Sequence, residues 1–228
     1  MTILTPLEIE AIRLSLLVSA WAVLGSLPFG IACAWVLARL NFPGKTLFDG
    51  LVHLPLVLPP VVVGYGLLVT LGRRGPVGAW LYDWLGITLS FNWKGAAVAS
   101  AVIAFPLLVR AVRLSIEAVD PGLEQAARTL GAGPIRTFFR VTLPLMMPGL
   151  VAGIVLSFAR SLSEFGATIT FVSSIPGETR TLPLALYSLT QIPGGEGAAF
   201  RLCVISVILA LGALIGSEIM TKWMIKRA

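Results

Sequence analysis

Of 228 residues, 57% are hydrophobic and 12% charged, and the mean hydropathy is +0.91. A soluble domain carries about 25% charge, so a water-soluble globule is excluded, and at about 20 apolar residues per crossing the chain has room for five or six crossings in one bundle. The net charge of +6 does not indicate nucleic acid, because Lys and Arg cluster at the ends of apolar runs rather than along one face.

The chain opens with Thr5-Pro6-Leu7-Glu8, a predicted capping box with proline in the first turn. A first span is predicted over 8–40, longer than the roughly 30 Å apolar core of a bilayer. It is no signal peptide, because the apolar stretch is too long and the acids Glu8 and Glu10 precede it. Pro28 is expected to kink it. Residues 41–46 form a turn. Gly44-Lys45-Thr46 looks like the end of a phosphate loop, but Arg39 stands where that motif requires glycine. With no other nucleotide loop, ATP and Mg are expected on another chain and no cofactor on this one.

A second span is predicted over 51–72, with Pro55, Pro59 and Pro60 breaking the backbone ladder near one end. The lone His53 before them is read as a structural hydrogen-bonding group, with a proton relay as the alternative. Residues 72–93 are polar and aromatic, and a short surface helix is predicted around Val77 to Leu85. It suits an interfacial anchor, because Trp and Tyr gather at membrane surfaces, or a docking rim for an external partner. The third span is predicted over 95–118, with Pro106 inside and Arg110 and Arg113 near its end.

Residues 120–142 form the one long polar, basic interruption in the second half of the chain. Asp120 is a good N-cap and Pro121 a good first helical residue. Leu123, Ala126, Ala127 and Leu130 share one apolar helix face, and Gly131 stands where a left-handed C-cap is expected. Gly133-Pro134 then turns the chain into a second short amphipathic helix carrying Ile135, Phe138, Phe139 and Thr142, with Arg136 and Arg140 beside them. A pair this small leaves a face over, for a partner or for the lipid headgroups.

The fourth span is predicted over 144–166. Pro144 and Pro148 echo the spacing of Pro55 and Pro59, a faint internal repeat. Ser157, Arg160, Ser161, Glu164 and Thr168 are expected on one helical face, with Arg160 and Glu164 one turn apart and able to pair. Charges inside a span face a bundle interior or a wet path, so this face is read either as a structural ion pair or as the lining of a pathway. Leu182 to Leu189 is apolar but too short to span, and suits a re-entrant or interfacial helix between two loops. The last span is predicted over 200–221, with Gly212 and Gly216 four apart. Cys33 and Cys203 lie in apolar runs and are read as small core residues, neither disulfide partners nor metal ligands.

Five spans place the ends on opposite sides of the membrane. With the C-terminus inside, Arg39, Lys45, Arg110, Arg113, Arg128, Arg136, Arg140, Lys222, Lys226 and Arg227 are cytoplasmic, against Arg13, Arg73, Arg74, Lys94, Arg180 and Arg201 outside. This is the expected positive-inside bias.

The run Glu124-x-Ala126, then Gly131, nine residues, Val141-x-Leu143-Pro144 resembles the signature loop of ABC importer permeases. Gln125 stands where that family more often has alanine. The resemblance implies an all-α membrane fold with a cytoplasmic coupling helix that docks on a separate ATPase. Glu124, Ala126, Ala127, Arg128, Leu130, Gly131, Leu143 and Pro144 would carry the docking. The segments around His53 to Gly64, Ser163 to Phe171 and Ile175 to Thr181 closely resemble molybdate ABC transporter permeases. Sulfate permeases match the last of these less well. The family implies a bacterial inner membrane, two permease copies, two ATP-binding subunits, a periplasmic oxyanion-binding protein, and transport of molybdate and tungstate. A secondary transporter would need a clearer internal repeat and midplane charges. A membrane enzyme would need a catalytic constellation, and one His with no paired acids does not make one.

Overall fold

The computed structural model describes residues 4–225. Helix α1 (Pro6–Arg39) starts at a closed capping box: the Thr5 N–H donates to Glu8 Oε2 at 2.6 Å, and the Glu8 N–H donates to Thr5 Oγ1 at 3.4 Å. Its buried stripe includes the small residues Ala11, Ser15, Ser19, Ala22, Ser26, Gly30 and Ala34, three or four apart. Lipid supplies no apolar force between helices, so close packing has to, and small residues permit it. Helix α5 (Trp93–Glu117) packs against α1 and itself buries the small residues Ala96, Ala97, Ala99, Ser100 and Ala104. A Cβ on Gly30 would stand 2.7 Å from Leu108 of α5, so the two helices pack closely there.

Between them in sequence come α2 (Lys45–Val57), α3 (Pro60–Leu71) and α4 (Pro76–Leu85). After α5 come α6 (Pro121–Thr129), α7 (Pro134–Thr137), a π-helical turn (Phe138–Thr142) and α8 (Leu143–Leu162), then α9 (Gly166–Val172), α10 (Leu182–Thr190) and α11 (Glu196–Ile225). One core joins Leu37 of α1, Leu108 and Val112 of α5 and Met146 and Leu150 of α8. A second joins Val63 of α3, Ile103 of α5 and Ala167 and Phe171 of α9. A third joins Ala11, Leu182, Ala185 and Leu202 of α1, α10 and α11.

Four described helical stretches are long and apolar enough to cross a membrane: α1, α5, Pro134–Leu162 and the Glu196–Gly216 part of α11. The α2–α3 pair makes a fifth crossing if taken as one span, but it bends by 110°. The predicted second span is therefore not one helix. Pro59 and Pro60 remove two consecutive donors, and a residue before proline is driven out of the helical region. Leu58 is accordingly extended, at φ −70° and ψ 141°.

Three further expectations are corrected. The predicted second amphipathic helix of the basic stretch is not separate: Pro134–Thr137 runs through the π-helical turn into α8. The fourth span does not reach residue 166, because α8 stops at Leu162 and a new helix starts at Gly166. Cys203 is exposed on α11 rather than in a core, while Cys33 is half-buried. His53 makes a local bond, its Nδ1 lying 2.9 Å from Asp49 O. Lys226 and Arg227 lie outside the described residues, as does the side chain of Lys222.

The α3–α9 contact is the tightest test of this packing. A Cβ on Gly64 would meet Ala167 O at 2.6 Å and Ala167 Cα at 2.8 Å, whereas one on Gly66 meets nothing within 4 Å. Overpacking of this kind costs about 1–3 kcal/mol. Gly64→Leu is therefore expected to lower the melting temperature of the detergent-solubilised protein, and Gly66→Leu to leave it unchanged.

Candidate coupling and translocation sites

Helix α6 is built as its sequence dictates. Asp120 Oδ1 accepts the Gly122 N–H at 2.8 Å. At the other end Gly131 takes φ +84°, the Ala132 N–H donates to Ala127 O at 3.0 Å and the Gly131 N–H donates to Arg128 O at 3.0 Å. These are the two bonds of a Schellman stop, which favours glycine at the left-handed position. The helix then sorts its residues by face. Leu123 and Leu130 are 49% and 88% exposed, and Ala126 and Arg128 are exposed beside them. Ala127 and Leu143 are half-buried, and Pro144 is exposed.

Glu124 points the other way, into its own chain. Its Oε1 accepts from Arg39 Nη2 at 3.1 Å and from Thr142 Oγ1 at 2.7 Å. The same Arg39 nitrogen donates to Val119 O at 3.1 Å. Glu124 and Arg39 together thus tie the end of α1, the loop after α5, helix α6 and the turn that opens α8. The exposures of Arg39 and Glu124 side chains are 17% and 12%, so water screens the pair little. Sequence spacing placed Glu124 with the docking residues. Its geometry makes it the anchor that holds α6.

The five residues predicted to share a helical face do not lie on one helix, because residues 163–165 interrupt it. Glu164 stabilises the interruption. Its Oε2 accepts from Arg160 at 2.8 Å and its Oε1 takes the Ala167 N–H of the new helix at 2.8 Å. Thr168 Oγ1 donates to Phe165 O at 2.9 Å. Ser157, Ser161, Glu164 and Thr168 are buried in the chain, and Arg160 alone is half-exposed. In the single protomer Arg160 and Glu164 brace the helix break, while the buried hydroxyls of Ser157 and Ser161 have no hydrogen-bond partner among the described residues.

The two breaks in the chain meet. A Cβ on Gly166 would stand 2.9 Å from Pro60 Cβ, so the start of α9 rests on the start of α3. Three further ion pairs were not read from the sequence. Arg201 reaches Glu8 with Nε at 3.2 Å and Nη2 at 2.9 Å, joining α11 to α1. Arg113 joins α5 to α2 through Asp49 at 3.1 Å and also pairs with Glu117 at 2.8 Å. The Arg113–Glu117 pair was legible from its one-turn spacing. The other two are long-range and leave no local signal. A concavity of about 940 Å³ between α1, α2 and α5 is lined by Trp21, Phe29, Phe48 and Phe105, too apolar for an ion path.

Removing one partner of a buried ion pair costs about 3–5 kcal/mol, and replacing both by apolar groups costs far less. Arg39→Met is expected to loosen α6 and speed tryptic cleavage after Arg128 at least tenfold. The double variant Arg39→Met, Glu124→Met is expected to recover most of the protection.

A model of the family described as binding-protein-dependent transport system inner membrane component matches residues 26–226. The chain is 63% identical over 226 residues to the molybdenum transport system permease protein ModB of Escherichia coli (strain K12), covering 99% of both chains. It is 38% identical to the sulfate transport system permease protein CysT of the same strain, covering 93% of this chain and 76% of that one. Among solved structures, a bacterial alginate ABC transporter in complex with an alginate pentasaccharide-bound periplasmic protein aligns with a TM-score of 0.75 at 20% identity, covering 96% of this chain and 80% of that one. The all-α fold is that of a type I ABC importer permease, and the chain belongs to the binding-protein-dependent transport system inner membrane components.

Proposed function

We propose that this chain is the membrane subunit of an ATP-driven importer that carries molybdate, and tungstate with it, across the bacterial inner membrane. The observation that carries this reading is the 63% identity to the E. coli molybdenum permease over 99% of both chains. The match to the sulfate permease is weaker and shorter.

The mechanism follows from what the chain has and lacks. It carries a docking helix but no nucleotide loop, so ATP and Mg belong to a partner subunit. Five crossings make too thin a wall to enclose an ion path, so two copies pair around an axis in the lipid bilayer. An ATP-binding subunit seats the exposed face of Leu123, Ala126 and Leu130 on each copy. The basic residues of that end support a cytoplasmic position for it, with the N-terminus periplasmic and the C-terminus cytoplasmic. Closure of the ATPase pair moves the two α6 helices, and the Glu124 knot passes that motion to α1, α5 and α8 together. The bundle then alternates between inward and outward openings. A periplasmic binding protein delivers the oxyanion to the outer end.

Labelled molybdate uptake in cells lacking and regaining this chain tests the reading. Uptake is expected to return with the chain and to fall when an equal concentration of tungstate is added, but not of sulfate. Equal competition by sulfate would contradict the molybdate assignment.

A further inference from the structure

The loop between α9 and α10 carries a polar cluster that neither site above includes. It lies at the end of the bundle opposite α6. The Leu182 N–H that follows the loop donates to Ser15 Oγ at 2.6 Å, and Gly177 sits beside Glu10, both near the start of α1. Arg39, at the other end of that helix, holds α6.

The loop opens on a backbone conformation that favours glycine, yet the residue is Ser173, at φ +62° and ψ −170°. Such a residue persists only where its surroundings over-determine it, and such residues cluster at ligand clamps and switches. Here fully buried Thr179 fixes it. Its Oγ1 donates to Ser173 O at 2.9 Å and accepts the Ile175 N–H at 2.8 Å. The held loop sets Ser174 between Arg180 and α10. Arg180 Nε donates to Ser174 Oγ at 3.3 Å, and Ser188 Oγ lies 3.4 Å from Ser174 Oγ.

Arg180 differs from the other half-buried or buried arginines. Arg39, Arg113 and Arg160 each have a carboxylate oxygen within 3.1 Å. Among the described residues Arg180 has none within 4.0 Å, and its terminal nitrogens make no hydrogen bond. It is a half-buried fork of donors with no counter-charge, beside two hydroxyls. Ser174 accepts from Arg180, and because Ser188 gives its proton to Leu184 O, it is the Ser174 proton that bridges the two hydroxyls and can turn toward a bound oxygen. Ser188 donates to Leu184 O at 2.8 Å and can rotate away from it. Arg73, by contrast, stacks on Tyr82 at 4.5 Å on the exposed rim.

We propose that Arg180, Ser174 and Ser188 form a transient site for a tetrahedral oxyanion as it enters the permease, and that Arg180 rather than Arg160 makes the first charged contact. A guanidinium fork suits two oxygens of such an ion, and hydroxyls suit the others. Arg160 is already neutralised by Glu164. This inference rests on the importer reading above.

The test is the complete importer, permease with its ATP-binding subunits, in proteoliposomes with its binding protein and labelled molybdate. Transport and ATP hydrolysis are measured together. Arg180→Gln is expected to keep the hydrolysis stimulated by loaded binding protein while molybdate moved per ATP falls at least tenfold. Arg180→Lys is expected to fall between that variant and wild type, since it keeps the charge and loses the fork. The milder Ser188→Ala, which leaves the loop bonds of Thr179 intact, is expected to lose about threefold. Unchanged molybdate per ATP in Arg180→Gln overturns the proposal while leaving the importer reading standing. So does equal loss of hydrolysis and transport in all three variants, which marks a purely structural loop. A wild-type importer that moves no molybdate overturns both.

Discussion

The proposed coupling rests on one carboxylate oxygen. Glu124 Oε1 receives Arg39 and Thr142, and Arg39 also caps the carbonyl of Val119. A nine-residue helix could not otherwise be held against a membrane bundle. Its own apolar residues face outward, so α6 gains little from burying them. A mostly buried ion pair adds little net stability over an apolar replacement, but breaking it is costly. That asymmetry suits a coupling element: the pair is a poor glue and a good pin. It fixes where α6 sits while leaving its apolar face free.

The rest of the fold explains how a pin at one end can move the other. The long helices bury small residues along their seams, among them Ser19, Ala22 and Gly30 of α1, with Gly30 close against Leu108 of α5. Such seams are close and smooth, and they do not depend on expelling water. The helical ladder is interrupted instead at two breaks, residues 58–59 and 163–165. Proline makes the first, and a glutamate that supplies the missing acceptor stabilises the second. They touch through Pro60 and Gly166.

Much of this was legible in the sequence, for identifiable reasons. The capping box of α1, the Schellman stop at Gly131 and the Arg160–Glu164 pair are all written in residues a few positions apart. The crossings were legible because apolar runs are. The second span was misread as one helix because hydropathy is blind to direction, although Leu58-Pro59-Pro60 held the signal. The fourth was extended too far because nothing apolar ends at Leu162. The inward turn of Glu124 was hidden because Arg39 is 85 residues away. The motif placed Glu124 among docking residues, and only its partners reveal which way it faces. Arg180 was legible only as a basic residue on the outer side. That no carboxylate among the described residues lies within 4.0 Å of it is a three-dimensional fact.

The central claim is that motion generated elsewhere enters this chain through α6. The most direct measurement is the distance between spin labels placed at Leu130 of two copies in the assembled importer, with Cys33 and Cys203 replaced by serine. Leu130 is 88% exposed, so a label there leaves the fold intact. The distance is expected to shorten when ATP and loaded binding protein are present together, and to relax after hydrolysis. An importer that goes on moving molybdate while that distance stays fixed would contradict the account.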